Sequence, residues 1–352
     1  MNSSEHEEVM VFSDEASGLH AILTIHDTSL GPARGGTRMR PYKSPMEALD
    51  DALALSLAMS LKLAFYGLPH GGGKAVIIDD AAGADPAVRR RRLKAFARSL
   101  RRHAERFSTG PDLGTDAADM AVIRETAPNV IGDDPAVLRR ISRATVLSVL
   151  AALEAAWPED PRGKRIGVLG LGKIGGELAR TLAERGAELV LADLDPTRAE
   201  ALATELGARA VRPDELLTTP LDVLMPCATG GLINKSRALE LECKVLCGSA
   251  NQVLTDLAAG DALAAHGVLY VPDFVANGGG ALACLTECGA SDEALAGVTG
   301  RVKQAVTELI AEAKESGTTL DRTARALASG RIDAARRERR RRRRGSGLVS
   351  RV

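Results

Sequence analysis

Two lysines and one aspartate are the residues best suited to acid–base chemistry in this chain of 352 residues. Lys62 lies near the end of an apolar, helix-like segment, and Lys74 follows directly after Gly71–Gly73. Lysines are rarely buried without a partner, and an ammonium desolvated beside another cation has a lowered pKa and can exchange protons. Asp112, in the segment GPDLGT, would balance this charge and relay a proton. Each lysine taken singly is also typical of an ordinary helix end or turn.

A glycine-rich segment forms a second candidate site, for a dinucleotide. It follows the strand-like RIGVLG, opens a helix-like segment and has a G-x-G-x-x-G pattern made by Gly170, Gly172, Lys173, Ile174 and Gly175. Such glycines permit a tight turn, close approach of a pyrophosphate and close helix packing, while the helix N-terminus supplies N–H groups. Asp193 ends the next strand, where its carboxylate would bind ribose hydroxyls and repel a 2'-phosphate. The predicted cofactor is therefore NAD rather than NADP; glycines that merely shape a turn are the alternative.

Seven sequence blocks resemble one known family. They are GPARGGTRM (31–39), AMSLK (58–62), HGGGKAVI (70–77), TGPDLGT (109–115), PCATGG (226–231), GSANQ (248–252) and PDFVANGGG (272–280). In this order they are similar to the leucine/valine/phenylalanine dehydrogenase branch of the glutamate dehydrogenase superfamily. The resemblance implies a homo-oligomeric enzyme that uses NAD to convert an L-amino acid reversibly into the 2-oxo acid and ammonia.

The resemblance also implies roles for individual residues. Lys62 would hold the substrate α-carboxylate, and Lys74 would polarise the carbonyl and activate the attacking water as a general base. Asp112 would exchange protons with the amine and the leaving ammonia. Gly36 would line the substrate pocket, and Asn277 would hydrogen-bond the substrate and order it beneath the nicotinamide.

Further cofactor contacts follow from the same resemblance. Ala228 and Asn251 would approach the cofactor from the ends of strands, and Thr145 would contact the nicotinamide amide. Relatives usually carry a glycine- and serine-rich stretch before the equivalent of Thr145, whereas this chain has the basic DDPAVLRRISRAT. The nicotinamide side is thus where this chain departs from the pattern of its relatives.

Arg34 is the main departure in the substrate-binding blocks. Relatives that act on aliphatic substrates tend to have a small or apolar residue there, and glutamate-specific relatives have a lysine that pairs with the side-chain carboxylate. A guanidinium that enters the pocket would favour an acidic or polar substrate, because a desolvated charge needs a partner. One that turns outward leaves the pocket apolar, and this orientation is the one we predict.

The first half of the chain alternates strand-like and helix-like segments. EEVMVF and LHAILTIHD predict a hairpin, KAVIIDD predicts a buried strand, and STGPDLGT reads as a polar loop. Ser44 with Glu47 predicts a capping box for a helix that stops near Gly67. A second helix is expected from Pro86 to about Phe107, and a short one capped by Asp116.

The second half repeats strand and helix more regularly. The expected strands are RIGVLG, ELVLAD, RAV, DVLMPCA, KVLCGSA and VLYVPD. Such repetition predicts a doubly wound, mostly parallel Rossmann sheet, so the fold class is α/β with two domains. The expected domains are 1–140 for substrate binding, catalysis and oligomerisation, 141–316 for NAD, and 317–352 as a C-terminal helix returning to the first domain with an arginine-rich tail.

Composition limits the remaining function classes. The 46 basic and 46 acidic residues cancel, which gives no general attraction to nucleic acid or membrane. We expect a cytoplasmic protein, because no segment resembles a signal peptide or a membrane span. Two C-x-x-x-C pairs, Cys243/Cys247 and Cys284/Cys288, raise the alternative of zinc, but a buried strand and helical spacing explain them and no metal is expected. The arginine-rich tail from Arg331, with its unbroken run 339–344, is expected to be solvated, with nucleic-acid contact as the alternative.

Three functional hypotheses remain open. The motifs favour a dehydrogenase of hydrophobic L-amino acids of the leucine, valine or phenylalanine type. Arg34 raises the same chemistry on an acidic or polar amino acid. A non-catalytic protein that binds NAD and responds to it is the third, and it has no need of the set Lys62, Lys74, Asp112 and Asn277.

Overall fold

The computed structural model describes residues 6–80, 83, 85–228, 230–285 and 292–349. The chain divides into two compact units, the first from Met1–Arg139 and Leu327–Val352, the second from Arg140–Ala326. The chain returns to unit 1 at residue 327, later than the expected 317. The reason is local packing: in the helix Leu320–Val349, Leu320 is buried and the Arg325 guanidinium lies 5.6 Å from the centroid of the Phe274 ring, both within unit 2.

Unit 1 contains a five-stranded mixed sheet with helices on both faces. Its strands are β1 (Glu8–Asp14), β2 (Leu19–Asp27), β3 (Ala33–Arg40), β4 (Gly71–Ile78) and β5 (Phe107–Pro111), and its helices are α1 (Pro45–Phe65), α2 (Pro86–Arg101) and α3 (Ala117–Arg124). The strand order is β1-β2-β4-β3-β5. β2 is antiparallel to β1 and β4, confirming the predicted hairpin, and β3 is parallel to β4 and β5.

The helices of unit 1 bury the two faces of its sheet in different ways. α1 covers one face with small side chains, where Ala48 and Ala52 pack on Ile22 and Val76. The other face carries a larger apolar cluster in which residues of the sheet meet α2 and α3, through side chains that include Leu23, Ile77, Phe96, Phe107 and Met120. The α1 face of the sheet also carries buried polar residues, among them Thr24 and Lys74.

Several predictions in unit 1 are wrong in detail. β3 was not predicted, and the supposed loop STGPDLGT begins with β5. α2 ends at Arg101 rather than near Phe107, because the chain makes hydrogen-bonded turns and Phe107 joins β5. Ser44 caps α1 as predicted, but the Glu47 carboxylate accepts from the N–H of Lys43 at 2.6 Å instead of completing a capping box. The capping box at Asp116 is confirmed.

Unit 2 contains a six-stranded parallel sheet. Its strands are β6 (Arg165–Leu169), β7 (Glu188–Ala192), β8 (Arg209–Ala210), β9 (Leu221–Pro226), β10 (Cys243–Leu246) and β11 (Leu269–Tyr270). The order β11-β10-β9-β6-β7-β8 with parallel pairing throughout confirms the doubly wound sheet. β6 and β9 are neighbours at the point where strand order reverses, and ligands of such sheets bind beyond the carboxyl ends of these strands.

Helices connect these strands and lead out of the sheet. They are α4 (Pro135–Ala156), α5 (Lys173–Glu184), α6 (Pro196–Leu206), α7 (Pro213–Leu217), α8 (Lys235–Glu240), α9 (Leu257–Ala265), α10 (Asp273–Ala276), α11 (Gly279–Leu285), α12 (Asp292–Ser316) and α13 (Leu320–Val349). Within the described parts of the chain, no helix is long and apolar enough to span a membrane.

The arginine-rich segment is partly docked rather than fully solvated as expected. Arg331 donates to the carbonyls of Ala64 and Phe65 at the end of α1. Arg336 pairs with the buried Asp27 at 2.6 Å. These two arginines therefore attach the later part of α13 to unit 1, since both contact groups of that unit.

Candidate active site

Lys74, Asp112 and Arg38 form a compact charge cluster in unit 1. Lys74 Nζ donates to Asp112 Oδ2 at 2.6 Å, and Arg38 Nε donates to the same oxygen at 2.8 Å. Lys74 lies on β4, Arg38 on β3, and Asp112 directly follows β5, so three neighbouring strands bring the charges together. Lys74 is only 5% exposed, so the Asp112 carboxylate supplies the counter-charge that its burial requires.

The cluster sets the protonation of its members. Burial lowers the pKa of Lys74, and the nearby charge of Arg38 lowers it further, while Asp112 opposes both. Burial alone would raise the pKa of Asp112, but the charges of Lys74 and Arg38 hold that pKa well below its usual range. The site therefore holds an ionised carboxylate beside an ammonium that gives up its proton more readily than a solvated one.

Two glycines allow this close approach. A Cβ at Gly36 would lie 2.8 Å from Asp112 Cβ and 3.3 Å from Lys74 Nζ. At Gly72 a Cβ would lie 2.1 Å from the backbone nitrogen of Ser60 in α1. Side chains at these positions would separate the charges or push α1 away from β4. The glycine run before Lys74, which the sequence suggested as a turn, thus belongs to β4 and serves packing.

Lys62 lies in the last turn of α1 and is 8% exposed. α1 packs on the face of the sheet that carries Gly72 and Lys74, because residues two apart on a strand share a face and Gly72 meets Ser60 of that helix. Both predicted lysines are therefore buried residues of unit 1, one on the sheet and one on the helix that covers it.

Arg34 is half-buried on β3. By the alternation of side chains along a strand it shares a face with Gly36 and Arg38. Its Nε donates to Nδ1 of His70, just before β4, at 3.3 Å. Burial and the charge of Arg34 lower the pKa of His70, so this imidazole is neutral and accepts the hydrogen bond.

The predicted dinucleotide loop of unit 2 has the geometry of a cofactor cradle. Gly170 has φ +93°, and a Cβ there would lie 2.7 Å from the backbone nitrogen of Ala228 after β9. At Gly175 a Cβ would lie 1.9 Å from the carbonyl oxygen of Gly170. Both positions require glycine for the fold itself. Ala228, predicted to approach the cofactor, lies directly beside the loop.

Gly172 differs from these two glycines. It is the N-cap of α5 and makes no side-chain cap hydrogen bond, and a Cβ there would meet no described atom within 4 Å. Lys173 and Ile174 form the first turn of α5. An uncapped helix N-terminus with open space in front of it fits the pyrophosphate of a dinucleotide, since its N–H groups and dipole favour an anion.

Asp193 follows β7 at the same edge of the sheet. Its Oδ2 accepts from the N–H of Leu171 at 2.7 Å, and Arg198 Nη1 lies 3.3 Å from Oδ1. Burial raises the pKa of Asp193, but hydrogen bonds from Asp195 and Leu171 and the charge of Arg198 bring it below its usual value. The group is an ionised carboxylate attached to the glycine loop.

Asn277 lies in a polar junction with Asn251. Its Nδ2 donates to the carbonyls of Ser249 and Ala250 and, at 3.0 Å, to Oδ1 of Asn251. Its own Oδ1 is buried without a hydrogen-bond partner among the described residues. A buried acceptor left open is costly unless a ligand satisfies it, and this residue is 5% exposed. The donor capacity of Asn277 is used by the protein, and its acceptor fits a ligand N–H or O–H.

Thr145 and Ser148 lie on one face of α4 beside this junction. Thr145 Oγ1 donates to the carbonyl of Ile141. A Cβ at Gly280 would lie 2.8 Å from Thr145 Oγ1. Ser148 Oγ donates to the carbonyl of Ala276 at 2.6 Å and accepts from the N–H of Gly279 at 3.0 Å. The serine fixes the chain on both sides of Asn277.

Sequence reasoning missed Arg38, Arg198 and Ser148. Arg38 stands two residues after Gly36, and a predicted β3 would have placed both on one face. Ser148 is one helical turn from Thr145. No pattern in the sequence singles out Arg198, whose approach to Asp193 depends on the turn into α6.

Metal ligation has no support in the described parts of the chain, which contain no group of three or more His, Cys, Asp or Glu side chains able to hold an ion. Burial raises the pKa of the Cys243 thiol to about 12, which disfavours the thiolate that zinc requires. Cys288, of the second pair, lies outside the described residues.

Comparison with known proteins gives matches across both units. A family model described as Glu/Leu/Phe/Val dehydrogenase, dimerisation domain, matches residues 6–129, and one described as Glutamate/Leucine/Phenylalanine/Valine dehydrogenase matches 197–340. A third, described as the NAD binding domain of D-isomer specific 2-hydroxyacid dehydrogenase, matches 137–240.

Individual relatives agree with these models. The chain is 38% identical to a leucine dehydrogenase of Geobacillus stearothermophilus, over 80% of this chain and 78% of the relative. It is 36% identical to a phenylalanine dehydrogenase of Bacillus thermotolerans, over 94% and 89%. The crystal structure of L-tryptophan dehydrogenase from Nostoc punctiforme superimposes with a TM-score of 0.72 at 34% identity, covering 95% of this chain and 97% of the other. The chain therefore belongs to the Glu/Leu/Phe/Val dehydrogenase family of NAD-dependent amino-acid dehydrogenases.

Proposed function

We propose that the protein oxidatively deaminates a hydrophobic L-amino acid to the 2-oxo acid and ammonia, with NAD as oxidant. The observation that carries this proposal is the pair formed by the buried Lys74 and the partly exposed Asp112, joined at 2.6 Å with Arg38 on the same carboxylate oxygen. A lysine whose pKa is lowered by burial, held against an ionised carboxylate, is suited to exchange protons with a substrate. The cluster and the family membership together favour an enzyme over a non-catalytic NAD-binding protein.

The residues of unit 1 have separate tasks in this proposal. Lys62 binds the substrate α-carboxylate as a point charge. Lys74, in its neutral form, takes a proton from the attacking water, and Asp112 exchanges protons with the substrate amine. Gly36 keeps the space beside these groups open for the substrate Cα.

The proposed reaction has three stages: hydride transfer from the substrate Cα, addition of water and loss of ammonia. When bound, NAD supplies the acceptor for the hydride that leaves the substrate Cα. The carboxylate of Asp112 stabilises the resulting positive iminium. Lys74 removes a proton from water, whose hydroxide adds to the iminium carbon. Lys74 passes this proton through Asp112, to which its Nζ is hydrogen-bonded, onto the amine nitrogen of the carbinolamine. Lys74, neutral again, takes the hydroxyl proton while the C–N bond breaks, the carbonyl forms and ammonia leaves.

Unit 2 supplies the groups that would hold NAD. The N-terminus of α5 at Gly172, with Lys173 and Ile174, would bind the pyrophosphate, while Gly170 and Gly175 shape the loop. Asp193 would accept from the ribose hydroxyls, and Ala228 and Asn251 would contact the cofactor near the strand ends. Asn277 would accept a hydrogen bond through Oδ1, and Thr145 would contact the nicotinamide amide.

The substrate class depends on Arg34. Its hydrogen bond to His70 favours an arginine engaged with the protein rather than with a substrate carboxylate, which supports the hydrophobic class. Its place on the face that carries Gly36 favours the acidic or polar alternative. One experiment distinguishes the hydrophobic substrate class from the acidic or polar one.

That experiment is a screen of the twenty amino acids by NADH absorbance at alkaline pH, repeated with Arg34→Leu. We expect the parent to prefer leucine, valine or phenylalanine, and Arg34→Leu to remain within about tenfold of it, since no specific substrate contact is lost. A parent that prefers glutamate or aspartate, together with loss of that activity and gain of leucine activity in Arg34→Leu, would replace the hydrophobic class by the acidic one.

We further propose a homo-oligomer assembled through unit 1, because residues 6–129 match a model described as a dimerisation domain. The cytoplasmic location stays a prediction from the sequence.

A further inference from the structure

Arg38 is fixed at both ends of its guanidinium. Nε donates to Asp112 Oδ2 at 2.8 Å, and Nη1 lies 3.1 and 3.0 Å from the two carboxylate oxygens of Asp51 in α1. The hydroxyl of Tyr42 donates to Asp51 at 2.6 Å and holds that carboxylate in turn. The side chains of Arg38 and Asp51 are each 14% exposed. The arginine thus joins the catalytic carboxylate of the proposed reaction to the helix that carries Lys62.

The two oxygens of Asp112 have different surroundings. Lys74 and Arg38 both donate to Oδ2, whereas Oδ1 makes no hydrogen bond to the described residues. The side chain is 21% exposed, so a substrate can reach it. A carboxylate that exchanges protons with a substrate needs one oxygen held in place and the other accessible.

We infer that Arg38 is a positioning residue that holds Oδ2 of Asp112 and leaves Oδ1 for the substrate amine. The inference rests on the proposed function, because it assumes that Asp112 and Lys74 move protons. Lysine cannot replace this geometry in full, since an ammonium lacks the planar fork that reaches Asp112 and Asp51 at once.

Arg38 also contributes a permanent positive charge. The elements around Lys74 carry further charged groups, among them Arg34 and Arg40 on the same face of β3 as Arg38, and Glu47, Asp50 and Lys62 on α1. The charges that act on the pKa of Lys74 are those of Asp112, Arg38 and Asp51. Arg38 lowers the pKa of Lys74, and Asp112 and Asp51 raise it. Removing the positive charge of Arg38 favours the protonated ammonium, so the pKa of Lys74 must rise.

The side chains of β2 next to Lys74 do not change their charge at the alkaline pH of the assay. Thr24 is the partner of Lys74 in the β2–β4 ladder, and its hydroxyl donates to Ala52 and Lys74 carbonyls. His26 lies on the same face of β2, and burial lowers its pKa to about 4, so it is neutral at the alkaline pH of the assay. A shift of the pH profile on changing Arg38 therefore reports on the charge cluster.

The test compares Arg38→Gln and Arg38→Lys with the parent, and uses Arg40→Gln as a matched control. Arg40 lies two residues further along β3 and 3.7 Å from Asp51, and among the described residues it makes no contact with Asp112. For each protein, kcat, KM and the pH profile of kcat/KM are measured with the best amino acid of the screen. Fluorescence of the single tryptophan, Trp157, gives the Kd of NADH as a readout independent of turnover.

We expect Arg38→Gln to lower kcat at least about tenfold and to move the ascending limb of the profile to higher pH by about one unit. Arg38→Lys should return the limb to its original pH without restoring full kcat. Arg40→Gln should stay within about twofold of the parent, and the Kd of NADH should be unchanged in all three.

An equal loss of activity at every pH in a folded Arg38→Gln, with the limb unmoved, would overturn the inference. If Arg38→Gln does not fold, as judged by circular dichroism, a limb displaced in Arg38→Lys overturns it instead. If the ascending limb of the pH profile disappears in Lys74→Ala but does not move in Arg38→Gln, the role of Arg38 is rejected and the proposed function stands. A limb and near-normal turnover that persist in Lys74→Ala reject the proposed function, and this inference with it.

Discussion

The charge cluster of unit 1 and the glycine loop of unit 2 differ in how far their polar groups are already paired within the protein. In the cluster, Lys74, Arg38 and Asp112 neutralise one another, so the cost of desolvating them is met within the protein. The loop instead leaves space at Gly172 before an uncapped α5, and elsewhere in unit 2 Asn277 keeps a buried acceptor without a hydrogen-bond partner among the described residues. In the proposed sites, therefore, the reactive charges are balanced before the substrate binds, whereas the groups for the cofactor are left to be satisfied by the ligand.

The largest predicted effect is on kcat, and it follows from removing the Lys74 side chain. Lys74→Ala should lower kcat by about 100-fold or more, the scale of general acid–base catalysis, because the water loses its base. Lys62→Ala is the matched change of a second buried lysine, and it should chiefly raise KM for the amino acid. Steady-state kinetics with NAD in excess measures both. Near-normal turnover of a folded Lys74→Ala protein would show that the pair is structural.

A smaller effect is expected at Asp193, where the cofactor site carries its own charge. Asp193→Ser with Leu194→Arg should raise the ratio of kcat/KM for NADP to that for NAD by about tenfold, ~1.4 kcal/mol. The change removes a carboxylate that repels a 2'-phosphate and adds a cation at a position that is 87% exposed, so folding should tolerate it.

The control at this site is Leu194→Arg alone. It adds the cation but keeps the repelling carboxylate, and Arg198 already lies beside Asp193, so we expect a smaller change in the ratio. A parent that prefers NADP before any substitution would contradict the assignment of Asp193.

The same comparison explains how far the sequence predicts the structure. The strands of unit 2 were all predicted, because parallel strands buried on both faces are short apolar runs between turns. The glycine loop was predicted because its function depends on local backbone geometry, which a short motif encodes. The position of Asp193, directly after the next strand, follows from the same local pattern.

Unit 1 was harder to predict for physical reasons. β3 has the sequence ARGGTRMR, which lacks a regular apolar period, and its place in the sheet comes from backbone contacts. A Cβ at Gly35 would lie 1.7 Å from the carbonyl oxygen of Gly73 in the neighbouring strand. Because β3 was missed, the alternation that puts Arg38 beside Gly36 was missed too. The bond of Arg38 to Asp51 depends on how α1 crosses the sheet, which no local pattern records.

The smallest effect is expected at Gly172, and it tests whether the loop is open for a ligand. Gly172→Ala adds a methyl group where no described atom lies within 4 Å, and φ −69° suits alanine, so the thermal midpoint should not change. The methyl group would lie where the pyrophosphate approaches the backbone. We expect the Kd of NADH, measured by Trp157 fluorescence, to rise about fivefold, ~1 kcal/mol.

Gly175→Ala is the matched control, because the same methyl group would there lie 1.9 Å from the carbonyl oxygen of Gly170. That contact requires the backbone to move, so this variant should lose thermal stability as well as affinity. If the two variants weaken NADH binding and lower the thermal midpoint alike, Gly172 is needed for the fold, and the contrast between a completed charge cluster and an open cofactor site fails. If Gly172→Ala changes neither quantity, the pyrophosphate does not approach this residue, and the N-terminus of α5 is not its binding site.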